Sequence, residues 1–482
     1  MRRILENTHR RRLSLTFLVT VLLLAAGTAT AAPVIEWLGN NYPLDLNADG
    51  TAAAGNTGDG FYDAFRWTQE TGVVNLGMST SQVLGTGAGT PDISDDGLKV
   101  SATVLTPDSL AVTQGIWTKG VGWEVSMPPV PVDGGLLDNS YGSCWGLSGD
   151  GSTLTGFYWR PGQAATGTAH ANTWSPAGGF TALANPLRNY RGNDLSYDGA
   201  VVVGWSERTD GVWCPTVWEN GGFTVLHNQG VFTEAEGISN DGNTIWGSAQ
   251  DTLTNQKSAA VWLRTESGWD EQILGVLPGT FAGSGAAICQ DRAEDGSIIV
   301  GYNTFDGSPF NNSGFVWTLA EGLVSAADFF AAAGVVLPPG FVVDSLTGVS
   351  SNGNVIAGFG HDGSVFPSQN QGFIITLNDV TAVPDLAGLR GLSLEPNFPN
   401  PFNPSTIIAL AVDVAQPVAL EIFNARGQLV RQLHDGPLGV GRHEMMWDGK
   451  DLGGRSVASG VYFARARGED GQAQSQRMML VK

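Results

Sequence analysis

Ala235-Glu236-Gly237-Ile238-Ser239-Asn240-Asp241-Gly242-Asn243-Thr244-Ile245-Trp246-Gly247 decides the fold of this chain. Two short apolar segments flank a Ser-x-Asp-Gly turn, and a second Gly follows the turn Gly by five residues. Asp-Gly supplies the positive φ that a tight hairpin needs. Related turns end at Gly50, Gly97, Gly151, Gly199, Gly296 and Gly353, and the second glycine returns at Gly55, Gly156, Gly204, Gly301 and Gly358, with Ala102 in the remaining copy. The spacing of 43 to 57 residues is that of a four-stranded propeller blade, so seven blades are expected.

Each repeat carries four β segments, a to d; in the fifth they are 235–239, 244–247, 259–263 and 270–274. Segment c holds Trp67, Trp117, Trp174, Trp218, Trp262 or Trp317, with Ile375 in the seventh copy. Large rings at one strand position suit a core between blades. The last repeat stops after segment c, and Val34-Ile35-Glu36-Trp37-Leu38-Gly39 matches segment d. That segment is expected to complete the last blade and remove its free edge. The fold class read from the sequence is therefore all-β, a seven-bladed β-propeller over residues 32–377.

These residues resemble the HAF repeat, a family of extracellular repeats named for a His-Ala-Phe tripeptide before the Trp. Here the tripeptide positions read Asp63-Ala64-Phe65, His170-Ala171-Asn172 and Ser313-Gly314-Phe315. The resemblance implies a secreted β-propeller-like protein and brings no activity with it.

Residues 378–394 read as a linker. Beyond it, Asn397, Pro399-Asn400-Pro401-Phe402-Asn403, Gly441-Arg442-His443, Trp447-Asp448-Gly449, Ser459-Gly460-Val461-Tyr462-Phe463 and the terminal Met479-Leu480-Val481-Lys482 accompany short strands and Gly turns. Residues 395–482 are thus expected to form a small Ig-like β-sandwich. The stretch resembles the type A C-terminal sorting domain of type IX secretion cargo and the Ig-like domain of the flagellar hook-capping protein. The resemblance implies a secretion or attachment signal, with export machinery as partner. Its motif residues are Asn397, Pro399, Asn400, Pro401, Phe402, Asn403, Gly460 and Lys482.

The first 31 residues read as a secretion signal: Arg2, Arg3 and Arg10 to Arg12, then an apolar run, then Ala29-Thr30-Ala31. No other stretch is apolar and long enough to span a bilayer. An extracellular or cell-surface location in a bacterium is expected. Residues 32–377 carry 10 Lys and Arg against 34 Asp and Glu, which disfavours nucleic acid and anionic lipid as partners. Cys144, Cys214 and Cys289 read as buried small hydrophobes without a bridge.

No His-Glu-x-x-His, Gly-x-Ser-x-Gly, phosphate loop or Cys-x-x-Cys is present, and no catalytic residue is assigned. Asp45-Leu46-Asn47-Ala48-Asp49-Gly50 copies the opening of a calcium loop, but its twelfth position is Asn56 and its glycine is in phase with the other hairpins. Asp45, Asp92, Asp194 and Asp291 share one position of segment a. They are expected either to accept backbone N–H bonds within their own blades or to crowd a central channel. In a channel they would raise one another's pKa or recruit a cation, calcium being the one cofactor left open.

The a–b and c–d turns are short, whereas the connections 105–114, 126–140, 160–171, 249–257, 302–312 and 326–344 are long and irregular, and share the opposite face. Binding candidates there are Phe61, Tyr62, Trp159, Arg160, Trp213 and Phe310. The function expected is that of an exported, non-enzymatic binding protein for a protein or glycan ligand. A carbohydrate-active propeller enzyme, a glycosidase or lyase with carboxylates from different blades, is the alternative.

Overall fold

In the computed structural model the described residues are 33–481 except 59–62, 78–88, 107–111, 128–141, 160–168, 185–188, 253, 309–310, 319–320, 365–369, 378–391, 395–396, 398, 401, 413–415, 425–428, 440 and 469–472. The expected signal segment lies outside them, as do the side chains of several strand residues, Trp159 among them.

Each repeat forms an antiparallel sheet in the order a-b-c-d. The first is Asn41–Leu46, Ala52–Thr57, Ala64–Thr68 and Gly72–Gly77. The fifth is Ala235–Ile238, Thr244–Asp251, Gln256–Thr265 and Gly268–Gly275, joined to the sixth by a single parallel bridge between Lys257 and Ala286. The expected pairing of the N-terminal segment is present: Val34–Gly39 runs antiparallel to Asn370–Thr376, with Ile35 opposite Ile375.

Ser-x-Asp-Gly makes the turn by side-chain bonds as well as by glycine. In the fifth repeat Ser239 Oγ donates to Asp241 Oδ1 (2.6 Å), accepts from the Thr244 amide (2.9 Å), and Asp241 Oδ1 accepts from the Asn243 amide (2.9 Å). Gly242 sits at φ 72°. The same bonds recur around Ser94, Ser148, Ser196 and Ser350. The calcium-like stretch is such a hairpin: Asp49 Oδ1 accepts from the Thr51 amide, and Asn47 Oδ1 from the Ala52 amide.

The second glycine has a different duty, which its position in a strand interior announces. Six strands a carry a β-bulge, with Leu44, Trp145, Asn193, Glu236, Gln290 and Thr347 as the extra residues. Each bulge adjoins the residue paired with the second glycine, as Gly192 is paired with Gly204. A Cβ on Gly204 would sit 2.1 Å from the Arg191 carbonyl oxygen, and one on Gly156 2.0 Å from that of Ser143. The copy with Ala102 has a two-residue strand a, Asp92–Ile93, and no bulge in it.

The segment-c aromatics are core, as expected: Trp262 is 1 % exposed, and Ile375 in the seventh copy is fully buried. All three cysteines are buried and unbridged. Two readings of the connections need correction. Residues 249–257 are mostly the paired ends of strands, because Ala249 and Ser258 face each other within a continuous ladder. Residues 326–344 contain a helix, Ala326–Ala332, capped by Ser325 Oγ, which accepts from the Asp328 amide; its Phe330 is buried in the core of the last two repeats.

The C-terminal strands form two sheets over their own core, which includes Phe402, Leu410, Leu420, Trp447 and Leu480. Leu392–Leu394, assigned above to the linker, is a strand paired with Thr406–Val412, and Leu394 packs against that core. The Asn-Pro motif is used structurally here. Asn397 Nδ2 donates to Thr406 Oγ1 (2.8 Å) and Asn400 Oδ1 accepts from the Met479 amide (2.9 Å). Phe402 exchanges backbone bonds with Met479 and Val481, so the motif clamps the last strand. Asn403 and Gly460 bracket the same region, at a cis bond to Pro404 and at the start of Gly460–Arg467; Pro401 and Lys482 lie outside the described residues.

Candidate functional site

The two ends of strands a carry different chemistry. At the turn end, backbone bonds pass from one repeat to the next. The Ala48 amide donates to Asp95 O, Asp95 to Gly149 O, Asp150 to Tyr197 O and Tyr197 to Asn240 O. The Asn240 amide donates to Glu294 Oε1 (2.8 Å), Asp295 to Ser351 O, and Ser351 returns to Ala48 O (2.8 Å).

Beneath these turns the four equivalent aspartates line one cavity of about 90 Å³, large enough for several waters. The expectation that each bonds within its own repeat is incomplete. Asp92, Asp194 and Asp291 each accept from the following residue's amide, but the second oxygen reaches the next strand a: Asp92 to Leu147, Asp194 to Ile238 and Asp291 to Val349. Asp45 accepts from Ile93 in the same way (3.0 Å). At Asp45, Asp194 and Asp291 strand a is bulged just before this position, whereas Asp92 reaches Leu147 from a strand without a bulge. In the third, fifth and seventh repeats the position is Gly146, Gly237 or Gly348, and a Cβ on Gly146 would meet Asn193 O at 2.5 Å.

Burial, and for Asp45 and Asp194 the charge of Asp92 next, raise these carboxyls well above the usual range; burial brings Asp291 to about 7. Two backbone N–H bonds oppose the rise at Asp194 and Asp291. Asp92, Asp194 and Asp291 have both oxygens bonded to amides, and Asp45 has one such bond. Among the described residues no group of three or more His, Cys, Asp or Glu could hold a metal ion.

The other end of strands a, where the b–c and d–a connections meet, is built from bulge residues and aromatics. Arg191 donates from Nη2 to Glu234 Oε2 (2.6 Å) and from Nε to Asn193 Oδ1 (2.7 Å). Its guanidinium lies 3.5 Å over the Trp145 ring and 5.5 Å from that of Trp205. Asn193 Nδ2 donates to Ala235 O (2.9 Å) and to Glu234 Oε2 (3.2 Å). Trp205 stacks on Trp213 at 4.2 Å between centroids, and Phe232, 52 % exposed, meets Trp213 edge-on at 5.4 Å. Glu236, the bulge residue of the fifth repeat, is pushed up to about 8 by burial and by Glu234, against the pull of Arg191 and Lys257.

Of the candidates named from sequence, Trp213 is in this group. Phe61, Tyr62, Arg160 and Phe310 lie outside the described residues, and Trp159 ends strand Leu154–Trp159 with its side chain outside them. The residues missed, Trp145, Arg191, Trp205, Glu234 and Glu236, lie on or beside strands, not in long loops. Their available signal was the strand-interior glycine, which marks a bulge and hence a displaced side chain.

Residues 403–472 match the FlgD Ig-like domain. None of the curated proteins matches the chain. Among solved structures, the chain is similar to TolB from Acinetobacter baumannii, with 13 % identity, TM-score 0.37, and 60 % of this chain and 61 % of that one covered. The chain thus spans less than two thirds of that protein. It is also similar to the β-propeller domain of the Trilobed protease from Pyrococcus furiosus, with 10 % identity, TM-score 0.38, and 72 % and 99 % covered. Prolyl oligopeptidase B from Galerina marginata matches with 12 % identity, TM-score 0.42, and 79 % and 58 % covered. The chain is all-β with propeller-like neighbours and an Ig-like C-terminal region, and no activity is carried over at these identities.

Proposed function

We propose that the chain is an exported, non-enzymatic binding protein. In this reading it is a seven-bladed propeller whose loop face recognises a protein or glycan ligand, followed by an Ig-like domain that serves secretion or attachment. Support for seven blades in a closed ring comes from seven a-b-c-d repeats, the d-like pairing of Val34–Gly39 with the last repeat, and the turn bonds that return from Ser351 to Ala48. The observation that carries the binding role is the aromatic shelf Trp205–Trp213–Phe232, an exposed ring backed by a stacked pair beside Arg191. Apolar rings held rigidly beside charge are what recognition surfaces use as anchors. On the turn face one backbone amide of each turn is bonded to a neighbouring turn.

The test is capture on a glycan array and on a displayed peptide library, with wild type, Phe232→Ala and Tyr197→Ala compared. Tyr197 is 48 % exposed on a turn and serves as the opposite-face control. Phe232→Ala should weaken capture more than tenfold while the melting temperature stays within about 2 °C, as for an exposed side chain. Equal loss from Tyr197→Ala would contradict the loop-face assignment.

A further inference from the structure

Taken in chain order, the girdle position reads Asp45, Asp92, Gly146, Asp194, Gly237, Asp291, Gly348. Three of the four aspartates are followed by a glycine in the next repeat. The amides after those glycines, Leu147, Ile238 and Val349, each serve one carboxylate. Seven is odd, so in the closed ring proposed above the alternation must fail at one seam. It fails between the first and second repeats.

There two carboxyls meet on one donor. The Ile93 amide lies 2.7 Å from Asp92 Oδ1 and 3.0 Å from Asp45 Oδ2. Two carboxylates so close do not both ionise, and a single N–H cannot offset their repulsion; one proton lies between them. The bonding pattern says which carboxyl carries it. Asp92 accepts a second amide, Leu147 at 2.6 Å, and amide donors favour the carboxylate form. Asp45 has the Ile93 amide alone and lacks the bond from the following residue that Asp194 and Asp291 receive. Asp45 is therefore the acid and Asp92 its acceptor. Burial raises both carboxyls; the charge of Asp92 and the bond to it raise Asp45 further, whereas that same bond pulls Asp92 down.

The groups facing the pair do not stand in for the proton. Asp291, from the sixth repeat, adds a like charge to Asp45, and Asp92 bears on Asp194, Asp95 and the buried Cys144 thiol. Among the described residues lining the cavity the cation is Arg292, whose strongest charged neighbours are Glu294 and Asp241. The cavity of about 90 Å³ has room for the water that would take the proton away.

We propose that the Asp45–Asp92 contact is a proton-operated latch on the seam between the first and second repeats. With the proton in place, Asp45 donates to Asp92 and both share the Ile93 amide. When the proton leaves to cavity water, two adjacent carboxylates compete for that amide and this seam loosens, while the three Asp–Gly seams keep their bonds. Because burial holds the folded Asp45 carboxyl above its unfolded value, the stabilisation is present at low pH and is lost as pH rises through the folded value.

Amide hydrogen exchange of the whole protein at pH 5 and pH 9, each rate divided by its intrinsic value, tests the latch. Protection at Ile93 should fall by about tenfold or more over this range relative to Ile238 and Val349. Asp45→Asn keeps an N–H donor toward Asp92 without a charge, so its Ile93 protection should be the same at both pH values, an unchanged circular-dichroism spectrum verifying the fold. At pH 6 the infrared C=O band of buried carboxylic acid should lose intensity in that variant. Equal change at Ile93, Ile238 and Val349, a pH dependence that survives Asp45→Asn, or an infrared band indifferent to it overturns the latch. Exchange at Ser351 reads ring closure and capture through Phe232 reads the loop face, so the failure of either is separate from that of the latch.

Discussion

The two ends of one set of strands make an internal comparison. At the turn end, seven short hairpins bond to one another and four carboxylates tie strand to strand, so backbone donors and side-chain acceptors are matched there. At the loop end, the same strands present Trp145, Arg191 and Glu236 at or beside their bulges, and Trp205 Nε1 there has no partner, as Arg292 Nε and Ser297 Oγ have none near the turns. Satisfied polar groups rigidify a structure, whereas unsatisfied ones mark where something else binds. The difference teaches that a bulge divides two settings within one strand: after it Asp45, Asp194 and Asp291 aim their carboxylates at the next strand, and at it Trp145 meets the Arg191 guanidinium.

The largest expected effect comes from removing the bulge. Gly204→Val puts side-chain atoms where the Arg191 carbonyl stands, 2.1 Å from the ideal Cβ, and backbone cannot yield cheaply. The loss should be on the order of 3 kcal/mol or more in chemical denaturation, with binding lost as well. A neutral outcome would show that the bulge separates nothing.

A smaller effect separates the two ends by pH. Asp194 and Asp291 have folded pKa values raised above their unfolded ones, so the folded state holds more protons between about pH 4 and pH 7. Stability from these groups is fully present below the unfolded pKa and is lost as pH rises through the folded value. The melting temperature should therefore fall by about 3 °C or more between pH 5 and pH 8. Asp194→Asn should flatten part of that slope without touching capture through Phe232 at the other end. A melting temperature that rises across this range would contradict the buried, crowded state of the girdle.

Much of the scaffold was legible because it is local. Ser239, Asp241 and Gly242 make their turn within a few residues, and Trp262, which packs between its own sheet and Val203 and Val217 of the preceding repeat, recurs at one strand position, so spacing revealed both. The edge pairing of Val34–Gly39 was legible for a different reason: the last repeat lacked a strand that the first residues supplied. The site was not legible, because Trp145, Arg191 and Glu234 come from three repeats and meet only when neighbouring sheets pack. Looking for aromatics in long loops directed attention to Phe61, Tyr62 and Phe310 and away from strand residues. The Asn397 to Phe402 motif carried a related lesson. Its residues read as an address, yet they clamp the final strand of their own domain.

The central claim is that the seven turns form one closed circuit of hydrogen bonds, and amide hydrogen exchange tests it most directly. The amides of Asp95, Tyr197, Asn240 and Ser351 sit in exposed-looking hairpin turns but donate to neighbouring repeats. They should exchange as slowly as the core strands, Ser351 included, because its bond to Ala48 joins the last repeat to the first. Fast exchange at Ser351, with slow exchange at the other three, would mean that the circuit is open.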